Sequence, residues 1–277
     1  MRVAWVGNSY IYFNDLPAIV AAMLAAAGST NTVHGQVTPG GQKFTGHAAD
    51  PKVAALLSQA PWDVVVLQDN SGVPGGWDAS ILEQSQTALI GTLAPLVPPS
   101  ARLLLYGTWG HLRGSVYQKQ REAYTDYPTM QRRTTAGYEA YAALLERQRA
   151  IELVPVGDAF QIIYEEEVAA GCDPTAEPSL FARLFVPDAF HPSRLGSYLA
   201  ACTFALVLLE GQPVAVVEAS IAVLPSESCS HDESLRNQFG AEWKPASISD
   251  ADAERLRSAA RRAVVTRAAK RGAAGLT

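Results

Sequence analysis

Gly7-Asn8-Ser9-Tyr10 follows the strand-like run Arg2–Val6, and a serine in a tight turn at the carboxyl end of a strand stands where an open parallel sheet binds its ligands. Far along the chain, Asp188 and His191 lie three residues apart, immediately before a helical stretch. That spacing can turn the carboxylate back onto the imidazole Nδ1 while Nε2 points outward. Nucleophilic catalysis by serine needs a base within hydrogen-bond reach and a third group that holds this base in the right tautomer. An ester's tetrahedral intermediate also needs donors already aimed at its oxyanion. The backbones of Ser9 and Gly41 can supply them, as can the side-chain amide of Gln68 or Asn70. Singly these are weak signals, because a turn serine, a lone histidine and a Gly-Gly pair each usually have a structural role. Together they point to acyl transfer.

Around this set, Tyr10, Tyr12, Phe13, Trp77, Trp109 and His111 are candidates to line a substrate cleft, Trp109 and His111 because they follow the fourth strand directly. Aromatic faces at such positions suit stacking on sugar rings; packing at a strand end is the equal alternative for Trp109. Other chemistries lack their signatures. GNSY has neither the GxGxxG spacing of a dinucleotide site nor a P-loop lysine, and His34, His47, His111, His191 and His231 show no HExxH or comparable ligand spacing. No cofactor and no metal are expected.

The 277 residues carry a net charge of −5, with 48% hydrophobic and 18% charged side chains, a composition that folds and needs no staples. Cys172, Cys202 and Cys229 are too few and too scattered for a disulfide framework and read as free buried thiols. The charge is uneven. Ala251–Thr277 holds seven basic residues (Arg255, Arg257, Arg261, Arg262, Arg267, Lys270 and Arg271) against Asp252 and Glu254, so this tail is +5 and the rest −10. An acidic body disfavours nucleic acid as a partner. Met1–Val6 reads as a strand and not as a signal peptide, and the longest apolar run, Tyr198–Leu209, is too short to span a bilayer. A cytoplasmic location fits this, and a small-molecule or carbohydrate ester is the expected partner.

The elements that must position these residues alternate. Arg2–Val6, Thr32–Val37, Trp62–Gln68, Arg102–Tyr106 and Ile151–Val156 read as strands. Helices are predicted over Leu16–Ala27 with Asp15 as N-cap, from Asp50-Pro51 to Gln59, from Asp78 to Leu93, over Gln131–Arg149, from Asp158 to Ala169 and over Ser193–Leu209. A last helix opens on Ser249 and Asp252, spaced as a capping box. Gly110–Met130, rich in Tyr, Arg and Gln, reads as a long loop or lid. Five strands alternating with helices predict an α/β fold with a parallel sheet covered on both faces. The expected organisation is a catalytic domain over residues 1–215 and, over 216–277, a C-terminal extension whose basic helix packs on it.

Taken together, Gly7-Asn8-Ser9, the Gly-containing second block, the amide-bearing third block and the late Asp-x-x-His resemble the SGNH (GDSL-type) hydrolases over roughly residues 2–210. The resemblance is closest to an uncharacterised branch that opens on GNS and carries LQ-x-x-S as its third block. Val154–Phe160 and His191-Pro192-Ser193-x-x-Gly196-x-Tyr198-Leu199 are also similar to that branch. It implies a three-layer α/β/α sandwich of flavodoxin-like kind and hydrolysis of carboxylic esters, often acetyl or short acyl groups on carbohydrates. Carried over, Ser9 is the nucleophile, His191 the base and then the acid, and Asp188 the orienter. Gly41 is the second-block oxyanion donor, with Gly40 as the register alternative. The third block departs from the common Gly-x-Asn-Asp and is nearer Gln-Gly-Glu-Ser, which assigns the amide donor to Gln68 first and Asn70 second. The competing reading keeps the fold and drops the hydrolysis, leaving a carbohydrate- or ligand-binding protein.

Overall fold

The structure, a computed structural model, describes residues 1–29, 32–59, 61–226 and 232–274. In chain order the elements are β1 (Arg2–Val6), α1 (Ser9–Tyr12), α2 (Leu16–Ala26), β2 (Val33–Val37), α3 (Phe44–Ala49), α4 (Pro51–Ser58), β3 (Val64–Leu67), α5 (Ala79–Ala88), α6 (Ala94–Leu96), β4 (Arg102–Tyr106), α7 (Tyr127–Glu146), β5 (Ile151–Val154), α8 (Val156–Ala169), α9 (Leu180–Arg183), α10 (Arg194–Leu208), α11 (Val214–Ile221), α12 (Asp232–Phe239) and α13 (Asp250–Ala274). They form two compact units, Met1–Tyr12 with Thr30–Val154, and Phe13–Ser29 with Pro155–Thr277. The edges of these units fall away from residue 215, and the C-terminal helix belongs to the second unit.

The first unit holds the expected five-stranded parallel sheet, ordered β2-β1-β3-β4-β5, which makes the chain an α/β protein. Val64-Val65-Val66-Leu67 is buried throughout, as the continuous apolar run of β3 requires of a strand covered on both faces. On one face Val6, Val65, Leu67, Leu103 and Leu105 pack with Phe44 of α3, Leu56 of α4, Leu89, and Tyr138 and Tyr141 of α7. Burying each such side chain is worth about 1.5–3 kcal/mol. The chain runs from β1 outward to β2 and then back across β1 to β3, so the order reverses between β1 and β3. Ligands of open α/β sheets bind at the carboxyl ends of strands at such a reversal.

Several expected boundaries moved for local reasons. Asp126 caps α7 by accepting from the Thr129 N–H at 2.7 Å, and Pro128 sits in the first turn, so the helix begins four residues before Gln131. Asp15 is no cap for α2: its backbone is left-handed, as is that of Asn14. Pro95 has no N–H to return to the preceding turn, and Leu89–Leu93 widens into a π-turn between α5 and α6.

In the second unit α10 is buried on nearly every side and packs against α2, α8, α11 and α13. The basic helix α13 presents Ala253, Leu256, Ala259, Ala260 and Ala263 as its buried stripe. Its arginines meet acids of the same unit: Arg255 bonds Glu167 at 2.7 Å, Arg262 bonds Glu166 at 2.5 Å, and Arg261 pairs with Glu218. Arg183 of α9 reaches Asp252 at 2.8 Å. These pairs are part-exposed, Glu167 being the most buried of the acids, and the stripe of buried alanines with Leu256 adds apolar contact. Cys202 is buried, Cys172 is exposed, contrary to the expectation of a buried thiol, and Cys229 lies outside the described residues.

One stretch, Ser9–Ala26, is long and apolar enough to cross a membrane, at mean hydropathy 1.2. Its left-handed turn at Asn14 and Asp15 divides it, and 61% of it is buried within the protein.

Candidate active site

The first unit brings three of the sequence blocks together at the carboxyl ends of β1 and β3. The Asn8 N–H donates to Gln68 Oε1 at 2.8 Å, and Asn8 Nδ2 donates to the Gln42 carbonyl at 3.0 Å. Asn70 Nδ2 donates to the Gly41 carbonyl at 3.2 Å. The turn that carries Ser9 is thus tied to both neighbouring turns. Gly7 is required by close approach: a Cβ there would lie 2.5 Å from Gln68 Oε1 and from Ile11 Cδ1. Gly41 has φ +68°, a conformation that favours glycine. Ser9 opens the single turn α1 and is buried.

The two candidate amides differ in exposure. Gln68 is fully buried, its Oε1 taken by Asn8 and its Nε2 by the Asp69 carbonyl. Asn70 is partly exposed, with Nδ2 on the rim beside Gly41 and Oδ1 accepting from the Gly72 N–H at 3.2 Å. Between them Asp69 is the hidden anchor. Its carboxylate accepts from the N–H groups of Phe44 (3.0 Å) and Asn70 (2.8 Å) and from the hydroxyls of Ser85 (2.6 Å) and Tyr141 (2.9 Å). Burial pushes its pKa upward and these four donors pull it back down. The clue in the sequence is an acid one place beyond Gln68 at the end of the apolar run of β3, a position it can hold only if donors surround it.

The loop beyond Asn70 is clamped within the same unit. The Arg133 guanidinium donates to the carbonyls of Gly75, Gly76 and Ala123, and the Tyr124 hydroxyl donates to the Gly72 carbonyl at 2.6 Å. Gly137 lets α7 lie directly on Pro74, whose carbonyl a Cβ would overlap at 1.9 Å.

Tyr10, Trp109 and His111 do not form an open wall. Trp109 and His111 have no exposed surface and Tyr10 has 3%. Trp109 stacks on Tyr10 at 4.4 Å between ring centroids, so both rings are packed in the interior. His111 Nδ1 accepts from the Val116 N–H at 3.2 Å, which leaves the proton on Nε2, 3.3 Å from Ser71 Oγ. One ring nitrogen thus meets the third-block turn and the other holds the loop after β4.

The second unit holds the Asp188–His191 pair. Asp188 Oδ1 accepts from the N–H groups of Phe190 (3.1 Å) and His191 (3.0 Å), and Oδ2 lies 2.7 Å from His191 Nδ1. A proton on Nδ1 completes that contact. The side chains are 12% and 13% exposed. Phe13 stacks on the imidazole at 4.1 Å and 8°, and Phe190 covers it at 4.0 Å. Asn14 anchors the segment by donating to the Pro192 carbonyl at 3.0 Å and to Ser197 Oγ at 2.9 Å. Ala189 takes a left-handed φ of 69°, which closes the turn and aims the carboxylate at the ring. Neither Phe13 nor Asn14 was assigned to this pair from the sequence, since each is about 180 residues distant along the chain.

No protein-family model and no curated protein matches the chain by sequence. Solved structures do resemble it. A DUF4886 family protein from Bacteroides uniformis superposes with a TM-score of 0.67 at 16% identity, over 96% of this chain and 95% of that one. A candidate SGNH hydrolase from Slackia heliotrinireducens gives 0.55 at 23%, over 75% and 98%. Axe2, an acetylxylan esterase from Geobacillus stearothermophilus, gives 0.50 at 18%, over 76% and 94%. The fold is the one seen in SGNH hydrolases. At these identities the likeness speaks for the fold alone. Among the described residues, no group of three or more His, Cys, Asp or Glu side chains is gathered where it could hold a metal ion.

Proposed function

We propose that this protein is a serine esterase or deacetylase that hydrolyses a carboxylic ester bearing a short acyl or acetyl group, with a carbohydrate ester as one candidate substrate. Ser9 is the nucleophile, His191 the base and then the acid, and Asp188 the orienter. Ser9 belongs to one unit and the Asp188–His191 pair to the other, and their working together is part of the proposal. The observation that carries the reading is the 2.7 Å contact between Asp188 Oδ2 and His191 Nδ1, in a ring held between two aromatic side chains. Such a pair has the tautomer that a serine hydrolase needs. The preference for short acyl groups is supported by the sequence, which has no long apolar cap, and by the substrate named for Axe2.

In the mechanism, the Ser9 Oγ–H gives its proton to His191 Nε2 while Oγ bonds to the acyl carbon and the carbonyl pair moves onto oxygen. The N–H groups of Ser9 and Gly41 and the Asn70 amide receive that oxyanion. Gln68 is the weaker candidate for this role, because its amide is fully buried beneath the turn while Asn70 is partly exposed. Collapse breaks the ester C–O bond, and the leaving alkoxide takes the proton from His191. Water then repeats the sequence on the acyl-enzyme.

Labelling by a fluorophosphonate and turnover of p-nitrophenyl acetate test the reading together. Wild-type protein should be labelled on Ser9, and Ser9→Ala and His191→Ala should each lose at least about 10³-fold in kcat with the fold intact. Wild-type activity in Ser9→Ala would refute the mechanism. A folded wild-type protein that stays unlabelled and inert on acetylated sugars would favour a binding protein that keeps the fold.

A further inference from the structure

The loop between β4 and α7 lies directly on the third-block turn, within the first unit. The Tyr124 hydroxyl donates to the Gly72 carbonyl at 2.6 Å, and His111 Nε2 lies 3.3 Å from Ser71 Oγ. The approach is made over two glycines: a Cβ at Gly72 would meet the Gln120 side-chain amide at 2.8 Å, and one at Gly75 the Tyr124 hydroxyl at 2.5 Å. The loop is closed on itself as well, since the Ser115 N–H donates to the Tyr124 carbonyl at 3.0 Å and Ser115 Oγ donates to Gln120 Oε1 at 2.8 Å. Tyr124, Gln120 and Ser71 are buried. From Gly72 the contact passes on to Asn70. The Gly72 N–H donates to Asn70 Oδ1 at 3.2 Å, which fixes the two ends of the amide, because only its oxygen can accept. Nδ2 is thereby turned to the Gly41 carbonyl, 3.2 Å away.

We propose that Tyr124 is a positioning residue for Asn70, acting through Gly72, a role that rests on the esterase reading and on Asn70 as its amide donor. With its carbonyl held by Tyr124, Gly72 keeps its N–H aimed at Asn70 Oδ1, and Nδ2 stays at the rim beside Gly41. An oxyanion donor is effective because it is already oriented when charge develops, and a turn released from Tyr124 would have to reorient it during the reaction. Tyr124 itself touches no reacting atom. Arg133 lies over its ring at 5.3 Å and donates to the carbonyls of Gly75 and Gly76, so the ring stays seated when only the oxygen is removed. Burial pushes the phenol up to about 12, which keeps it a donor wherever esterase activity is assayed.

A double-mutant cycle over wild type, Tyr124→Phe, Asn70→Ala and the double variant tests the role. Each is measured for kcat and KM on p-nitrophenyl acetate, for fluorophosphonate labelling and for its thermal midpoint. Tyr124→Phe removes one hydrogen bond and keeps the ring, a change that a domain of this size tolerates. Loss of the donor outright lowers kcat by about 100-fold, and this is the ceiling for a residue that acts through it. Tyr124→Phe is expected to lose about 10-fold in kcat, with KM within about 2-fold of wild type. In the Asn70→Ala background the same substitution should change kcat by less than about 2-fold, because nothing is left to position. A role in stability alone would lower the melting temperature equally in both backgrounds and leave the two kcat ratios the same. Equal kcat losses in both backgrounds, or none in either, overturn the role of Tyr124 while the esterase reading stands. Asn70→Ala at the wild-type rate also overturns it, by removing the donor it serves, and leaves Ser9 and His191 in place. Wild type that is neither labelled nor active overturns both.

Discussion

Acidification should destabilise this protein through His47. This histidine of α3 is fully buried, and neither ring nitrogen has a well-aligned hydrogen bond within the described residues. Burial lowers its pKa from 6.5 to about 4, although the Gly7 carbonyl and the Asp50 carboxylate both favour the proton. The unfolded chain therefore takes up a proton near pH 6.5 that the folded chain refuses until pH 4. Stability from this site is complete above pH 6.5 and is lost as the pH falls towards 4. The linkage relation puts the loss at about 2 kcal/mol at pH 5 and about 3 kcal/mol at pH 4. Against a total of roughly 5–15 kcal/mol for an ordinary domain this is a large share. Urea unfolding of wild type and His47→Gln at pH 7.5 and pH 5.0 measures it. Each protein is compared with itself, so the cost of the swap and the titration of shared carboxylates cancel. Wild type should lose about 2 kcal/mol more than the variant over that interval. Equal losses in the two proteins would refute the reasoning.

Other outcomes follow from the same contacts. Asp188→Asn removes the group that fixes the His191 tautomer and should lower kcat by about 10⁴-fold with little change in fold, read by esterase kinetics beside circular dichroism. Asn70→Ala and Gln68→Ala should separate: the first lowers kcat by about 100-fold, and the second strands the Asn8 N–H and costs about 1–3 kcal/mol in urea unfolding. Asp69→Ala leaves two backbone N–H groups and two hydroxyls without their acceptor, and should destabilise by at least about 1–3 kcal/mol in the same assay. Deleting residues 251–277 removes the alanine stripe and the pairs to Glu166, Glu167 and Glu218, so the melting temperature should fall; an unchanged midpoint would mean that α13 contributes nothing to stability.

Some of the fold was legible because its signals are local. Continuous apolar runs marked β3 and β4, and Asp50, Asp78 and Ser249 sit where helices begin, each with a side-chain oxygen receiving the N–H of the first turn. Asp126 did the same for α7 but lay inside a polar stretch that read as a loop. The short helices α9, α11 and α12 had too few residues to show a period.

The sequence by itself determined the alternation of strands and helices, the parallel sheet, and the nearness of Asp188 to His191, because each depends on residues a few places apart. Tertiary structure decided the rest. It buried Trp109 and His111, which follow β4 and looked like a cleft wall, because exposure depends on what the remainder of the chain places over them. It committed the Gln68 amide to Asn8, 60 positions away, and left Asn70 at the rim. It turned a +5 tail into a packed helix by setting its arginines opposite Glu166, Glu167 and Glu218. Spacing along the chain states which groups can meet, and only the packing of distant segments decides which of them have a partner already.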